Sequence, residues 1–179
     1  MELRSFIEQS LDHFETRLDQ TLHGLTAEEL AWRPGPEANS IAFVVWHTTR
    51  VEDRFIQRMA REAEEVWTVG GWHRRFGLLE ADTGVDVSVE RLADFPALSV
   101  GDLRGYLDAV RAETSAYLGA ATPADLDVAP DRNPFPEVAG ADEYFDCTIA
   151  RMFQILIGEH FQHLGHAAYL RGLQRGLDG

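Results

Sequence analysis

The chain of 179 residues contains no lysine, and its 16 basic residues are all arginine. Without lysine there is no Schiff-base nucleophile, no pyridoxal-phosphate anchor and no phosphate-gripping P-loop or kinase lysine. Cysteine is nearly absent too. Cys147 stands alone, which excludes intramolecular disulfides, thiolate zinc cages and iron–sulfur clusters. Long apolar runs are also missing: the longest, Ile41 to Trp46, has six residues, against the roughly 20 needed to span a bilayer. Met1-Glu2-Leu3-Arg4 opens directly into an amphipathic pattern, with no apolar core or cleavage site of a signal peptide. Positive charge is scarce, at 16 basic against 30 acidic residues and a net charge of -14. Such a field repels nucleic-acid backbones and anionic lipid, and no basic patch offsets it. The expectation is a cytoplasmic protein acting on a small molecule, with neither nucleic acid nor membrane as partner.

The length predicts one domain, 1–179. Apolar residues at helical steps predict a helix over 2–23 (Ile7, Leu11, Phe14, Leu18), ended by Gly24. Thr26 and Glu29 form a capping-box pattern, and Trp32-Arg33-Pro34-Gly35-Pro36 breaks the chain into a loop. Ser40 caps a second helix expected to reach about residue 65. Residues 67–98 lose periodicity, a connection long enough to suggest function. Ser99 and Asp102 cap a third helix, 100–120. Three prolines make 128–141 loop, and the last helix is expected from about Asp142 to Arg175. Four amphipathic helices, long connections and no alternating strand predict an all-α four-helix bundle.

The last helix carries an anomaly. Its apolar stripe of Thr148, Met152, Ile155 and Leu156 continues through Glu159, His163 and His166 before returning to Leu170 and Leu173. At 100° per residue these three ionisable groups fall within about 60° of one another. A carboxylate in a core needs a compensating cation, either an arginine or a divalent metal. Glu-x-x-x-His places an oxygen and a nitrogen one turn apart on one face, where both reach one ion. A third ligand must come from another helix, and His47, in the apolar second helix, is the best candidate. Two histidines and a carboxylate suit Zn²⁺, Ni²⁺ or Fe²⁺ and leave positions open. His160 with His163 is a less well-aimed alternative pair. Glu-x-x-His, His-Glu-x-x-His and His-x-x-Glu-His are all absent, which argues against di-iron and metalloprotease sites.

The turn Trp32-Arg33-Pro34, the pair Trp46-His47 and the run from Glu159 to Ala167 resemble the DinB-like four-helix superfamily. Within it they most resemble the mycothiol-dependent maleylpyruvate isomerase type, in which the second metal ligand is glutamate. The resemblance implies His47, Glu159 and His163 as ligands of one zinc or nickel ion. It also implies a low-molecular-weight thiol, mycothiol or bacillithiol, used as a metal-bound thiolate. The expected activity is a metal- and thiol-dependent transferase or isomerase; a metal-dependent hydrolase and a non-enzymatic metal- or ligand-binding bundle are the alternatives. His166 is a candidate proton shuttle or hydrogen-bonding support for the ligands. Arg50 and Arg54, three and seven residues beyond His47, are candidates to hold a substrate carboxylate, with solvated ion pairs as the more ordinary role. Arg171 has similar status, and Trp72 could cover the pocket from its loop. Gly158, Gly165 and Gly172, seven apart, form a smooth strip suited to close packing, including a homodimer contact.

Overall fold

A computed structural model describes residues 2–139, 141 and 146–176. Every regular element among them is helical. Helix α1 (Leu3–Leu22) buries Ile7, Leu11, Phe14 and Leu18 on one stripe. After it Gly24 turns the chain at φ +70°, a conformation that L side chains rarely adopt. Helix α2 (Ala27–Ala31) begins with the complete Thr26–Glu29 capping box. Helix α3 (Ile41–Arg54) starts at Ser40, whose hydroxyl accepts a hydrogen bond from the Phe43 backbone at 3.2 Å. All but one of its residues are buried, which makes it the central rod of the fold.

The expected second helix does not run as one α-helix to residue 65. After Arg54 it widens into a π-helical segment, Phe55–Arg61, and stops where Glu62 takes a left-handed conformation. The long 67–98 connection contains three short helices: α4 (Val66–Val69), α5 (Trp72–Phe76) and α6 (Val89–Ala93). Helix α7 (Val100–Ala120) matches its expected span, with Ser99 and Asp102 closing the capping box. Helix α8 (Pro123–Leu126) is short. The last helix, α9, runs from Ile149 to Arg175. Of its expected start, 142–145 lie outside the described residues. Thr148, expected within the stripe, is instead the N-cap, accepting from the Arg151 backbone at 3.2 Å.

Helices α1, α3, α7 and α9 form the bundle, and α3 against α9 is its most extensive contact. Two apolar cores share it. One gathers Phe14, Trp46, Trp67, Leu103 and Leu164; the other gathers Leu11, Phe55, Leu118, Met152 and Leu156. Between them three helices contribute polar side chains at one level. Glu52 of α3 accepts hydrogen bonds from Arg111 (2.8 and 2.9 Å) and Thr114 (2.7 Å) of α7, and pairs with His160 Nε2 of α9 at 2.9 Å. Glu52 and His160 are wholly buried. Arg111 also reaches Glu15 of α1 at 2.8 Å, so all four helices are joined at this level. Among the described residues no helix is long and apolar enough to cross a membrane.

Candidate functional site

The site lies on the border that α3 and α9 share. The centre of the α9 stripe is Leu156, His160, Leu164 and Ala167, all buried. Helical phase alone puts Glu159, His163 and His166 at that centre and His160 at its edge. The structure shifts the stripe by one position. Glu159 and His163 border it, with side chains 32% and 14% exposed, and His166 is exposed. A partly solvated border suits ligand access better than a sealed core does, and it lowers the cost of holding a carboxylate there.

His47 projects from α3 onto the same border. Its ring lies 5.1 Å from that of His163, centroid to centroid, in an edge-to-face arrangement. His163 Nε2 is 3.2 Å from Glu159 Oε2. That is a hydrogen-bond distance, and it is also close to the separation, about 3.3 Å, of two donors sharing one ion at about 2 Å and tetrahedral angles. Among the described residues His163 Nδ1 is buried with no hydrogen-bond partner, an unsatisfied atom that a packed core would normally avoid. His166 follows, its ring 5.4 Å from His163.

The orientation of His47 comes from a part of the chain that its own helix does not predict. His47 Nδ1 lies 2.7 Å from the carbonyl of Thr83, in the loop between α5 and α6. A carbonyl can only accept, so Nδ1 carries the proton and Nε2 keeps its lone pair. Burial pushes the His47 imidazole below its ordinary pKa, which favours this neutral, ligand-competent form. Gly84, at φ +82°, closes the clamp. A Cβ there would come within 2.7 Å of His47 Nδ1 and 2.9 Å of Trp46. Glu159 is held below the ordinary carboxylate range, chiefly by its contact with His163, and so is ionised at neutral pH.

The remaining sequence candidates are not brought to this place. Arg50 does not make a solvated surface pair: it is 1% exposed and enclosed by Glu65 (2.5 Å), Asp53 (3.3 Å), Tyr106 (3.2 Å) and the Asp82 carbonyl (3.0 Å). Asp53 in turn accepts from the backbone of Val66 and Trp67, so this network binds α3 to α4. Arg54 is paired with Glu137 at 2.5 and 3.0 Å and stacks on Phe135. Arg171 caps the end of α1 through the carbonyls of Thr21 and His23. Trp72 packs on Phe76 and Tyr106. It anchors its loop and covers no pocket at His47.

A cavity of about 330 Å³ opens beside His47 and Glu159. Val51, Phe55, Val85, Phe135, Val138 and Ile155 supply most of its wall. Sequence reasoning missed the contributors from loops, Thr83 to Val85 and Phe135 to Val138. The only local signal was the Thr-Gly turn pair in an otherwise featureless acidic stretch.

The model of the DinB superfamily matches residues 10–167, which contain all three sequence-predicted ligands. The chain belongs to the DinB superfamily. A solved structure described as a conserved protein of locus from Enterococcus faecalis has the same fold as this DinB-superfamily chain, with a TM-score of 0.78 over 97% of each chain at 24% identity. No curated protein matches.

A resident divalent metal is what this family's fold implies, and the donor set fits one in kind. A carboxylate and an imidazole stand at ligand spacing, a second imidazole is held neutral by its Nδ1 bond, and a buried nitrogen is unsatisfied. Among the described residues no three such side chains are closed around a point as they stand. The trio therefore borders a shared space and is not a finished cage. Closing it requires a side-chain adjustment within the trio.

Proposed function

We propose that this DinB-superfamily protein is a divalent-metal-dependent enzyme that transfers a thiol to a small molecule or isomerises one with a thiol's help, with His47, Glu159 and His163 as the metal ligands. The observation that carries this reading is the convergence, from α3 and α9, of a neutral oriented imidazole on a Glu–His pair at ligand spacing, at the mouth of a cavity. A zinc or nickel ion held there supplies Lewis acidity that lowers the pKa of a thiol or water into the neutral range. A single cysteine in the chain favours a thiol from solution, as does glutamate at the second ligand position, the feature shared with the maleylpyruvate isomerase type.

The chain's own residues do the rest. The Thr83 carbonyl fixes the His47 tautomer and ring, the role that supporting hydrogen bonds play in metal sites. Glu159 contributes a negative charge, and the apolar wall lines the approach to the reacting groups. His166, exposed beside His163, is positioned to exchange a proton with solvent.

The test is metal content and thiol response. Purified protein should hold about one equivalent of zinc or nickel, lost in His47→Ala and Glu159→Gln. Cobalt-substituted protein should change its visible spectrum on adding a low-molecular-weight thiol and should support turnover of electrophiles. Substoichiometric metal that is indifferent to His47→Ala refutes the site. A spectrum indifferent to thiols, with hydrolysis of esters or amides, replaces the transferase reading with the hydrolase one.

A further inference from the structure

The cavity wall identifies the class of molecule that this centre serves. Among the described residues its polar lining is confined to one end, at His47 and Glu159; the rest is aliphatic or aromatic. No arginine is among those lining residues, although two arginines are close in sequence to His47. Both are engaged elsewhere: Arg50 is sealed within its network, and Arg54 lies against Phe135, with its two terminal nitrogens on Glu137 and its Nε 3.7 Å from the Glu65 carboxylate. Phe135 is clasped between Arg54 and Phe55, whose ring centroid is 5.8 Å away. Arg54 thus fixes a wall and, among the described residues, the chamber's lining has no positively charged side chain. A carboxylate placed among Val51, Val85 and Ile155 would lose its hydration with nothing to replace it, at a cost far exceeding the dispersion attraction of the wall.

Size narrows the class further. An apolar cavity of about 150 Å³ accepts benzene, so one of about 330 Å³ accommodates a ring with a short substituent, or two small rings.

Resting on the proposed metal centre, we infer that its substrate is a neutral, predominantly apolar small molecule of about one to two rings, its body in the chamber walled by Phe55, Phe135, Val138 and Ile155 and its reacting group at His47 and Glu159. Along that wall a carboxylate or phosphate finds no counter-charge, so any anionic group of the substrate is confined to the His47 and Glu159 end. Away from the metal end, discrimination comes from the missing cation more than from shape, because an unpaired buried charge costs more than an ill-fitting methyl group.

The experiment is calorimetric titration of the full-length protein, metal-free and zinc-loaded, with p-cresol and with maleate as probes. The expected result is that p-cresol binds both forms and maleate does not bind the metal-free form. Val138→Trp, which fills the chamber from a loop, should weaken p-cresol at least about tenfold while leaving the circular dichroism spectrum and zinc affinity unchanged. Val85→Phe serves as a second filling variant should the first fail to fold. Maleate binding the metal-free protein as well as p-cresol, binding of neither probe, or p-cresol binding indifferent to both filled chambers overturns the inference. Zinc titration of the same samples is read separately. Failure to bind zinc with p-cresol binding intact refutes the metal centre and upholds the chamber's preference, whereas zinc binding without p-cresol binding does the reverse.

Discussion

Gly84→Ala isolates the clamp that holds His47. Two costs arise. The backbone at φ +82° disfavours any Cβ by about 1–2 kcal/mol. The new Cβ also meets His47 Nδ1 at 2.7 Å and the buried ring of Trp46 at 2.9 Å, so reaching an ordinary 3.4 Å contact displaces the imidazole by about 0.7 Å. Trp46 is packed between Phe43, Trp67 and Phe95 and cannot yield, so His47 must. Overpacking of this kind adds about 1–3 kcal/mol, giving a total of about 2–5 kcal/mol. Loss of the Thr83 bond should weaken zinc about 10- to 100-fold, as removal of such supporting contacts does. Gly77→Ala is the matched control: it has φ +70° but nothing within 4 Å of its Cβ, so it bears only the backbone cost. Urea unfolding gives the stability difference between the two variants, and competition with a chromophoric chelator gives the affinity. If Gly84→Ala is no more destabilising than Gly77→Ala and binds zinc as the wild type does, the loop does not orient His47 and the reasoning fails.

Removing one partner from the buried polar layer should be severe: Arg111→Met leaves Glu52 buried with its largest compensating charge gone, at a cost of about 3–5 kcal/mol in urea unfolding. Glu52 is held below the ordinary carboxylate range because Arg111, then His160, outweigh its burial. A carboxylate depressed in the folded state contributes stability above its unfolded pKa and loses it as pH falls through the folded one, so its share disappears only in strong acid. Glu52→Gln should be less stable at neutral pH and show a smaller further loss on acidification. On the outer face of α9, Gly158→Ala and Gly165→Ala meet no atom within 4 Å and should each stabilise an isolated chain by about 1 kcal/mol. Destabilisation of the species present at high protein concentration, with a change in sedimentation, would instead mean that this strip packs against a second copy. Ser40→Ala removes the cap of α3 and should cost about 1 kcal/mol by thermal unfolding.

Much of the site was legible in the sequence because its residues sit on two long helices, and helical phase is a local property. Glu159 and His163 must share a face at an i, i+4 spacing, and the apolar residues around His47 in α3 placed it beside the core. Phase alone misplaced the centre of the stripe by one residue. A helix-wide pattern does not say which neighbour each side of the helix will meet, and His160 lay within reach of Glu52 only once α3 and α9 had packed.

The arginines show the same division. Sequence spacing places Arg50 and Arg54 near His47, but the groups that enclose them come from residues 65, 82, 106 and 137, which no local rule brings together.

What the sequence determined by itself is therefore what depends on near neighbours: the four long helices, most of their caps, the donor types available without lysine, and the pairing of a carboxylate with an imidazole one turn apart. What only the tertiary structure decided depends on distant segments meeting: the carbonyl that sets the His47 tautomer, the ion pairs that withdraw both arginines, and the loop residues that wall an apolar chamber. Helix geometry is dictated by bonds closed within four residues, whereas a cavity is the space that several independently folded segments leave unfilled.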